Sequence, residues 1–280
     1  MKKKRRVIWC LIFTGLVLFF ICGISDSLGV TEYEAYSTSL PEAFDGFRIL
    51  QISDLQNSMQ PEILPLARKI KPDIIVLTGD TFYHKMKNET FEWTIDLLKQ
   101  LSQTAPVYSV SGNHDRWNPD FRNNLLLMQE AGVINLENVS ETIEKNGGTI
   151  SIVGISDPDT MDDREADMTV LEYLQRVQSS SGFDILLFHR ANQLGLLKSR
   201  GFELVLSGHL HGGQFRLPFT GGLLSPEGKW FPKYDAGLFR IDDTTTAIVS
   251  RGIGNTFIVP RLYDPPELVM VTLHKGKEDL

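Results

Sequence analysis

The sequence Gly208-His209-Leu210-His211-Gly212-Gly213 follows an apolar run, residues 202–207, that has the length and composition of a buried β-strand. Glycines on both sides allow the backbone to turn sharply as it leaves that strand. In an extended turn, His209 and His211 point the same way because side chains repeat every second residue. Two imidazoles at the end of one strand form half of a metal site, although the short motif alone is equally typical of an ordinary loop.

Polar residues also end several other apolar runs that are predicted to be strands. They are Asp54 and Gln56 after residues 47–53, Asp80 after 73–78, Asn113 to Asp115 after 106–110, and His189 after 184–188. Because open α/β sheets bind their ligands where such strands end, we expect these side chains to share one site. The segment 217–235, rich in glycine, proline and aromatic residues, is predicted to cover that site.

The stretches between the strands predict the fold class. Helices are predicted at 61–70, 90–101, 119–129, 168–178 and 191–199, and closing strands at 237–241, 245–250 and 267–273. Alternating strands and helices indicate an α/β layered sandwich of mixed β-sheets flanked by helices.

Composition excludes one class of partner. The 280 residues carry a formal charge of −7, with five of the 28 basic residues at Lys2–Arg6. Without those five, 23 basic residues face 35 acidic ones, a balance of −12. So acidic a body argues against binding to nucleic acid.

The first 29 residues predict a basic leader and a transmembrane helix. Val7 to Ile24 are 18 uncharged residues, just enough to cross a bilayer. The basic run before them predicts a single-pass protein of the cell membrane, with everything after Ser25 outside the cytoplasm. A cleaved signal peptide has the same order of basic and apolar residues, and it stays open as the alternative to the favoured uncleaved anchor. Residues 30–280 would form the globular domain.

In chain order, the motifs are D-x-Q at 54–56, G-D at 79–80, G-N-H-D at 112–115, His189 and G-H-x-H at 208–211. This order resembles the calcineurin-like metallophosphoesterases, whose signature is D-x-H, G-D, G-N-H-D/E, H and G-H-x-H. The resemblance extends from about Phe47 to the end of the chain. Residues 208–214, 231–238 and 250–254 are similar to the membrane-anchored or exported bacterial branch typified by YkuE and YaeI.

The resemblance implies a metal-dependent phosphoesterase with two divalent cations, manganese being favoured over zinc or iron. The implied ligands are Asp54, Gln56, Asp80 and His211 for one cation, and Asp80, Asn113, His189 and His209 for the other. A hydroxide that bridges two such cations attacks phosphorus in line. His114 is then free to act as the general acid, and Asp115 to orient the His114 ring.

Each of these residues has a simpler explanation when it is taken alone. A carboxylate after a strand commonly caps the next helix, Asn113 could hold a left-handed turn, and His189 could be an ordinary buried histidine. The joint pattern favours a metal centre because four of the six histidines fall on motif positions. His84 and His274 fall outside the pattern.

Position 56 departs from the family signature, since Gln56 stands where the family has histidine. An amide oxygen is a harder ligand than imidazole, so this cation site favours manganese or another hard ion, binds its ion loosely, or is vacant. Two functions therefore stay open. One is hydrolysis of a phosphodiester or pyrophosphate bond, in an envelope lipid or a cell-wall substrate. The other is a degenerate member of the family that serves as a binding or scaffold module.

Overall fold

Two six-stranded β-sheets form the centre of the protein in a computed structural model, which describes residues 2–56, 58–160, 162–177, 182–217, 219–255 and 259–277. The strands in chain order are β1 (Gly29–Ser37), β2 (Arg48–Ile52), β3 (Ile74–Thr78), β4 (Val107–Val110), β5 (Val133–Asn135), β6 (Ser140–Lys145), β7 (Gly148–Ile155), β8 (Asp184–Arg190), β9 (Leu204–Gly208), β10 (Arg216–Leu217), β11 (Gly221–Gly222), β12 (Gly237–Arg240), β13 (Thr246–Val249) and β14 (Glu267–Lys275).

The strand order brings the strands that carry the motifs next to each other. The first sheet has the order β1-β14-β2-β3-β4-β5 and the second β12-β13-β9-β8-β7-β6, while β10 and β11 form a separate pair. Neighbours are parallel in both sheets, except for the pairs β14–β2, β12–β13 and β6–β7. The carboxyl ends of β2, β3 and β4 therefore meet at one edge of the first sheet, and those of β8 and β9 at one edge of the second.

Helices cover the outer face of each sheet. The α-helices are α1 (Lys2–Gly23), α2 (Ile63–Ile70), α3 (Asn88–Ser102), α4 (Asn113–Arg116), α5 (Phe121–Glu130) and α6 (Asp163–Arg176), and short 3₁₀ helices lie at Glu42–Phe44, Ala191–Leu197 and His211–Gly213. Residues of α2, α3 and α5 pack on the first sheet. Residues of α6 and of the 3₁₀ helix at Ala191–Leu197 pack on the second.

The central strands β3 and β9 are mostly apolar because both of their faces are buried. In β3, Val76 packs between the two sheets, whereas Leu77 packs against the helices that cover the first sheet. In β9, Leu206 faces the inter-sheet core and Val205 the core under α6. This alternation along a continuous apolar run follows from the two-residue period of a strand inside a layered fold.

The predicted layered α/β sandwich is confirmed, with small differences at the level of elements. Helix α2 begins at Ile63 rather than at residue 61, and Pro65 lies in its first turn, where a missing N–H group breaks no helical hydrogen bond. The helix predicted at 191–199 is a 3₁₀ helix. The edge strands β5 and β6 were not predicted, since β5 has only three residues and β6 is largely exposed and polar.

The predicted transmembrane helix is wrong. In the part of the chain that the structure describes, no helix is long and apolar enough to cross a membrane. Helix α1 has 22 residues, but it starts with five basic ones and ends at Gly23, which leaves 17 uncharged residues in the helix. At about 1.5 Å per residue these span about 26 Å, less than the ~30 Å thickness of a hydrocarbon core.

Gly154 in β7 provides a test of how tightly the two sheets pack. A Cβ atom at this position would lie 2.0 Å from the carbonyl oxygen of Leu136 and 2.7 Å from Val110 Cγ1. We expect Gly154→Ala to lower the free energy of unfolding by about 1–3 kcal/mol, because the added methyl group overpacks a filled interface. The measurement is a denaturant titration of the purified chain.

Gly195→Ala is the matched control for this substitution. A Cβ atom at Gly195 meets no atom within 4 Å, and the residue is exposed. Its stability should stay within a few tenths of a kcal/mol of that of the native chain or rise slightly. Equal denaturation midpoints for the Gly154 and Gly195 variants would contradict the close inter-sheet contact.

Candidate metal centre

Polar side chains from the two sheets converge where the central strands end. Those predicted as ligands are Asp54 and Gln56 after β2, Asp80 after β3, Asn113 after β4, His189 near the end of β8, and His209 and His211 after β9. None of the seven exposes more than 4% of its surface. Burial of so many polar and charged groups at one place requires a compensating partner.

Short distances join these side chains into one cluster. His189 Nε2 lies 3.5 Å from Asp80 Oδ2, and His211 Nε2 lies 3.5 Å from Asp54 Oδ1. Gln56 Nε2 is 3.1 Å from Asp80 Oδ2, and His209 Nδ1 is 3.2 Å from His189 Nε2. Ligand atoms of Asp54, Asp80 and His189 all lie within 4.8 Å of one another. Such separations suit atoms that each bind one cation at about 2.0–2.2 Å.

The backbone at the site is held in an uncommon conformation. Five of the clustered residues have positive φ angles although they are not glycine: Asp54, Gln56, Asp80, His209 and His211. Hydrogen bonds between neighbouring turns hold them there. The backbone N–H of Gln56 donates to the carbonyl oxygen of Asp80 (2.9 Å), and that of His209 donates to Asp54 Oδ2 (3.1 Å). Left-handed backbone at several adjacent positions is a feature of functional sites.

Two glycines are required because the turns approach each other closely. A Cβ atom at Gly208 would lie 1.9 Å from Ser53 Oγ and 2.3 Å from Asp54 Oδ2. At Gly112 it would lie 2.2 Å from Asp80 Oδ1. Gly208 therefore permits contact between the two sheets at the site, and Gly112 permits contact between two neighbouring loops of the first sheet.

A divalent cation fits the donor set. Gln56 Oε1 and Asn113 Oδ1 are buried oxygens, and within the described ranges neither receives a hydrogen bond. A buried polar atom without a partner costs about 1–3 kcal/mol, and coordination to a cation would remove that cost. Two carboxylates, two amide oxygens and three imidazoles form a mixed O/N set that suits manganese, iron or zinc.

The electrostatics of the cluster also favour a cation. Burial alone would lower the pKa of His189, but the Asp80 carboxylate beside it raises this pKa well above its ordinary value. In the metal-free protein, a proton on His189 thus balances the buried charge of Asp80. A metal ion would take the place of that proton, as expected of a site whose ligands must lose protons on binding.

The family profile described as Calcineurin-like phosphoesterase matches residues 47–213, more than half of the chain. The chain belongs to this family. YkuE of Bacillus subtilis, named as an uncharacterized metallophosphoesterase, is 30% identical over 252 residues, which cover 87% of this chain and 84% of YkuE. YkoQ of the same organism, also named as an uncharacterized metallophosphoesterase, is 32% identical over 233 residues, covering 81% of this chain and 82% of YkoQ. Phosphodiesterase YaeI of Escherichia coli is 28% identical over 237 residues, covering 81% of this chain and 82% of YaeI.

These matches confirm the resemblance and the enzyme class that the motifs predicted. The chain is a calcineurin-like phosphoesterase with a candidate metal centre that includes Asp54, Asp80 and His189.

His114 and Asp115 of this phosphoesterase differ in their surroundings. The backbone N–H of His114 donates to Asp80 Oδ1 (2.8 Å), and His114 Nε2 lies 4.0 Å from Asp80 Oδ2, at the rim of the cluster. Asp115 was expected to orient the His114 ring. Instead, its carboxylate accepts hydrogen bonds from the backbone N–H groups of Gly112 (2.9 Å), Phe82 (2.7 Å) and Thr81 (3.2 Å). It therefore fixes the two loops that carry Asp80 and His114.

Two charged residues at the site were missed by the sequence analysis. Glu227 Oε1 accepts a hydrogen bond from His209 Nε2 (2.8 Å), and Arg261 Nη2 donates to His211 Nδ1 (3.0 Å). Glu227 lies in the segment that was predicted to cover the site, so composition located the loop but not the contact. Burial and the Arg261 guanidinium lower the pKa of His211, whereas the Asp54 carboxylate raises it. The lowering effects are larger, and the pKa of His211 falls to about 4.

Glu227 is expected to strengthen metal binding through His209. Its carboxylate accepts a hydrogen bond from Nε2–H, so in the neutral ring Nδ1 presents its lone pair towards His189. Carboxylate partners of this kind orient histidine ligands and raise their basicity, so Glu227→Gln should weaken zinc or manganese affinity by about 10–100-fold. The measurement is a competition titration with a metal chelator.

Glu144→Gln, the same substitution on exposed β6, provides the control and should bind metal like the native chain. If the two variants have the same affinity, Glu227 has no role in metal binding.

Proposed function

We propose that the protein is a two-metal hydrolase of phosphate esters that cleaves a phosphodiester bond. The observation that carries the proposal is the position of Asp80, whose Oδ2 lies 3.1 Å from Gln56 Nε2 and 3.5 Å from His189 Nε2. One carboxylate thus lies beside a residue of each proposed cation site, Gln56 for one cation and His189 for the other, as a bridging ligand must. The relative named as a phosphodiesterase supports a diester as the substrate.

Each half-site would take residues from both sheets. Asp54, Gln56, Asp80 and His211 would hold one cation, and Asp80, Asn113, His189 and His209 the other. Bound divalent ions would supply a water nucleophile at neutral pH and neutralise charge on the phosphoryl oxygens. Because Gln56 contributes an amide oxygen, manganese is the favoured ion at the first half-site.

His114 acts on the leaving group. Its backbone is tied to Asp80 Oδ1, and its ring lies outside the ligand cluster with its side chain 15% exposed. From this rim position Nε2 donates its proton to the leaving oxygen as the ester bond breaks, which is worth roughly 10²–10⁴-fold in rate.

The alternative of a degenerate binding module depended on Gln56 alone. Gln56 Nε2 lies 3.2 Å from His211 Nε2. The Oε1 atom of the same amide is buried and has no hydrogen bond among the described residues. An unpartnered acceptor in this position favours ligation over loss of the site. The hydrolase is therefore the function that the geometry supports best.

Asp80→Asn tests the proposed function directly. The native chain should hydrolyse bis(4-nitrophenyl) phosphate when manganese is added, and chelation should stop the reaction. The substitution keeps the shape but removes the shared charge, so we expect hydrolysis at background level and loss of bound metal. Metal content by elemental analysis and release of nitrophenolate are the two measurements.

Asp96→Asn on the exposed face of α3 is the control and should keep both properties. A chain that binds metal but cleaves no phosphodiester in any metal would contradict the proposal. Two bound ions and near-native turnover in the Asp80 variant would refute the bridging assignment alone.

Gln56→His tests the first half-site. Imidazole is a softer donor than an amide oxygen, so the substitution should tighten this site and shift its preference from manganese towards zinc or iron. If the native site is partly filled, activity should rise at limiting metal and change little at saturating manganese. Occupancy and hydrolysis are followed together in titrations with manganese and with zinc. Full occupancy by two ions in the native chain, with unchanged preference in the variant, would show that Gln56 is an ordinary ligand.

A further inference from the structure

We infer that His84 is a positioning residue that holds the ring of His114 in the orientation needed for proton donation. The inference rests on the proposed function, because it assumes that His114 serves the leaving group. His84 lies outside every motif of the sequence analysis, and it follows Asp80 by four residues in the loop after β3.

The contact between the two histidines has the geometry of an in-plane hydrogen bond. Their Nδ1 atoms lie 2.9 Å apart, the rings are parallel within 3°, and the ring centroids are 5.0 Å apart. In each ring the Nδ1 atom lies a short distance from the centroid. The centroid-to-centroid distance is close to the N···N distance plus these two short distances, so the two centroids and the two Nδ1 atoms lie nearly on one line. One Nδ1 donates and the other accepts, along the direction of the nitrogen lone pair.

The other neighbours of the His114 ring offer packing but no hydrogen bond to Nδ1. The rings of Tyr83 and Trp117 pack against it, with centroids at 4.9 Å and 5.1 Å. Asp80 Oδ2 is 4.0 Å away on the Nε2 side. Asp115 is occupied by three backbone N–H groups. Among the described residues, His84 is therefore the hydrogen-bond partner that fixes this nitrogen.

His84 is itself packed against two aromatic rings. The Tyr83 ring lies 4.6 Å from the His84 ring, and the edge of Trp117 meets it at 5.8 Å. The loop that carries His84 is anchored at Phe82, whose N–H donates to Asp115 Oδ1 (2.7 Å). Asp115 thus orients His114 indirectly, through the loop and His84, rather than by direct contact with the ring.

The contact selects the orientation and the tautomer of His114. With Nδ1 bound to His84, the ring cannot flip, and Nε2 stays on the side of Asp80. When the doubly protonated ring gives its Nε2 proton to the leaving oxygen, an N–H bond breaks and an O–H bond forms. The neutral ring left behind carries its remaining proton on Nδ1, which is the tautomer that donates to His84 Nδ1.

Two substitutions separate this hydrogen bond from packing. His84→Phe keeps an aromatic ring between Tyr83 and Trp117 but removes the acceptor. His84→Asn loses the ring, but its Oδ1 lies as many bonds from Cα as the Nδ1 of histidine and can accept the proton. His274→Phe, far from the site and beside Glu34, is the matched control. All four chains are made at full length and loaded with manganese.

The kinetic readout is the dependence of kcat on the leaving group. For diesters that release an alkoxide, His84→Phe should lower kcat by about 10–100-fold, a part of the effect of a general acid, and the loss should be smaller for nitrophenolate. His84→Asn should recover most of the alkoxide rate, and KM and metal content should stay unchanged. Equal losses for both leaving groups, or no difference between the Phe and Asn variants, would overturn the inference.

A second readout needs no turnover. In zinc-loaded protein, long-range ¹H–¹⁵N spectra report which ring nitrogen of His114 carries the proton. The native chain and His84→Asn should share the Nδ1–H form, and His84→Phe should lose that preference. If native protein cleaves no phosphodiester but shows this pattern, the proposed function fails while the His84 contact stands. The same tautomer in all three chains would overturn the contact.

Discussion

The carboxylates of Asp54 and Asp80 lie in one cluster, and no more than 1% of either residue is exposed. This buried negative charge determines which groups can surround it. A buried carboxylate is costly unless donors or cations surround it. Some compensation comes from the protein: backbone N–H groups of His209 and His114 donate to the two side chains, and the His189 ring approaches Asp80. Among the described residues, two buried amide oxygens nearby have no hydrogen-bond partner, and a bound cation would meet this further demand for positive charge.

This constraint also explains why the site depends on the packing of the two sheets. The carboxylates follow strands of the first sheet, whereas the three histidines of the cluster lie on or after strands of the second, so neither sheet holds the whole cluster. The apolar core between the sheets fixes their spacing, and Gly208 and Gly112 allow the loops to touch. The left-handed backbone at Asp54, Asp80 and His209 can persist because the surrounding layers leave no alternative arrangement.

Much of the centre could be predicted because its residues come in short motifs at strand ends. Asp54, Asp80 and His189 each follow an apolar run, and parallel strands gather such ends at one edge. Contacts made by loops distant in sequence leave no periodic signal, so the partners Glu227, Arg261 and His84 were missed. Asp115 has a different role from the one predicted. It is adjacent to His114 in sequence, which suggested a contact between the two side chains, but its carboxylate accepts hydrogen bonds from backbone N–H groups. The transmembrane prediction was wrong because the uncharged run extends to Ile24, whereas the helix ends at Gly23.

The two histidines of the motif at 208–211 differ in what lies behind them. Glu227 accepts a hydrogen bond from His209 Nε2, so in the neutral ring Nδ1 presents a lone pair to the centre. Arg261 can only donate, so its contact with His211 Nδ1 requires a lone pair on that nitrogen, while His211 Nε2 faces Asp54 and the side-chain nitrogen of Gln56. A cation bound at Nε2 would share this ring with a guanidinium, whose positive charge opposes that of the ion. The same half-site has the amide of Gln56 in place of an imidazole. Both features act in the same direction, so we expect the proposed half-site of Asn113, His189 and His209 to bind its ion more tightly than the other. On this proposal, the residues behind the ligands contribute to the difference in metal affinity together with the ligands themselves.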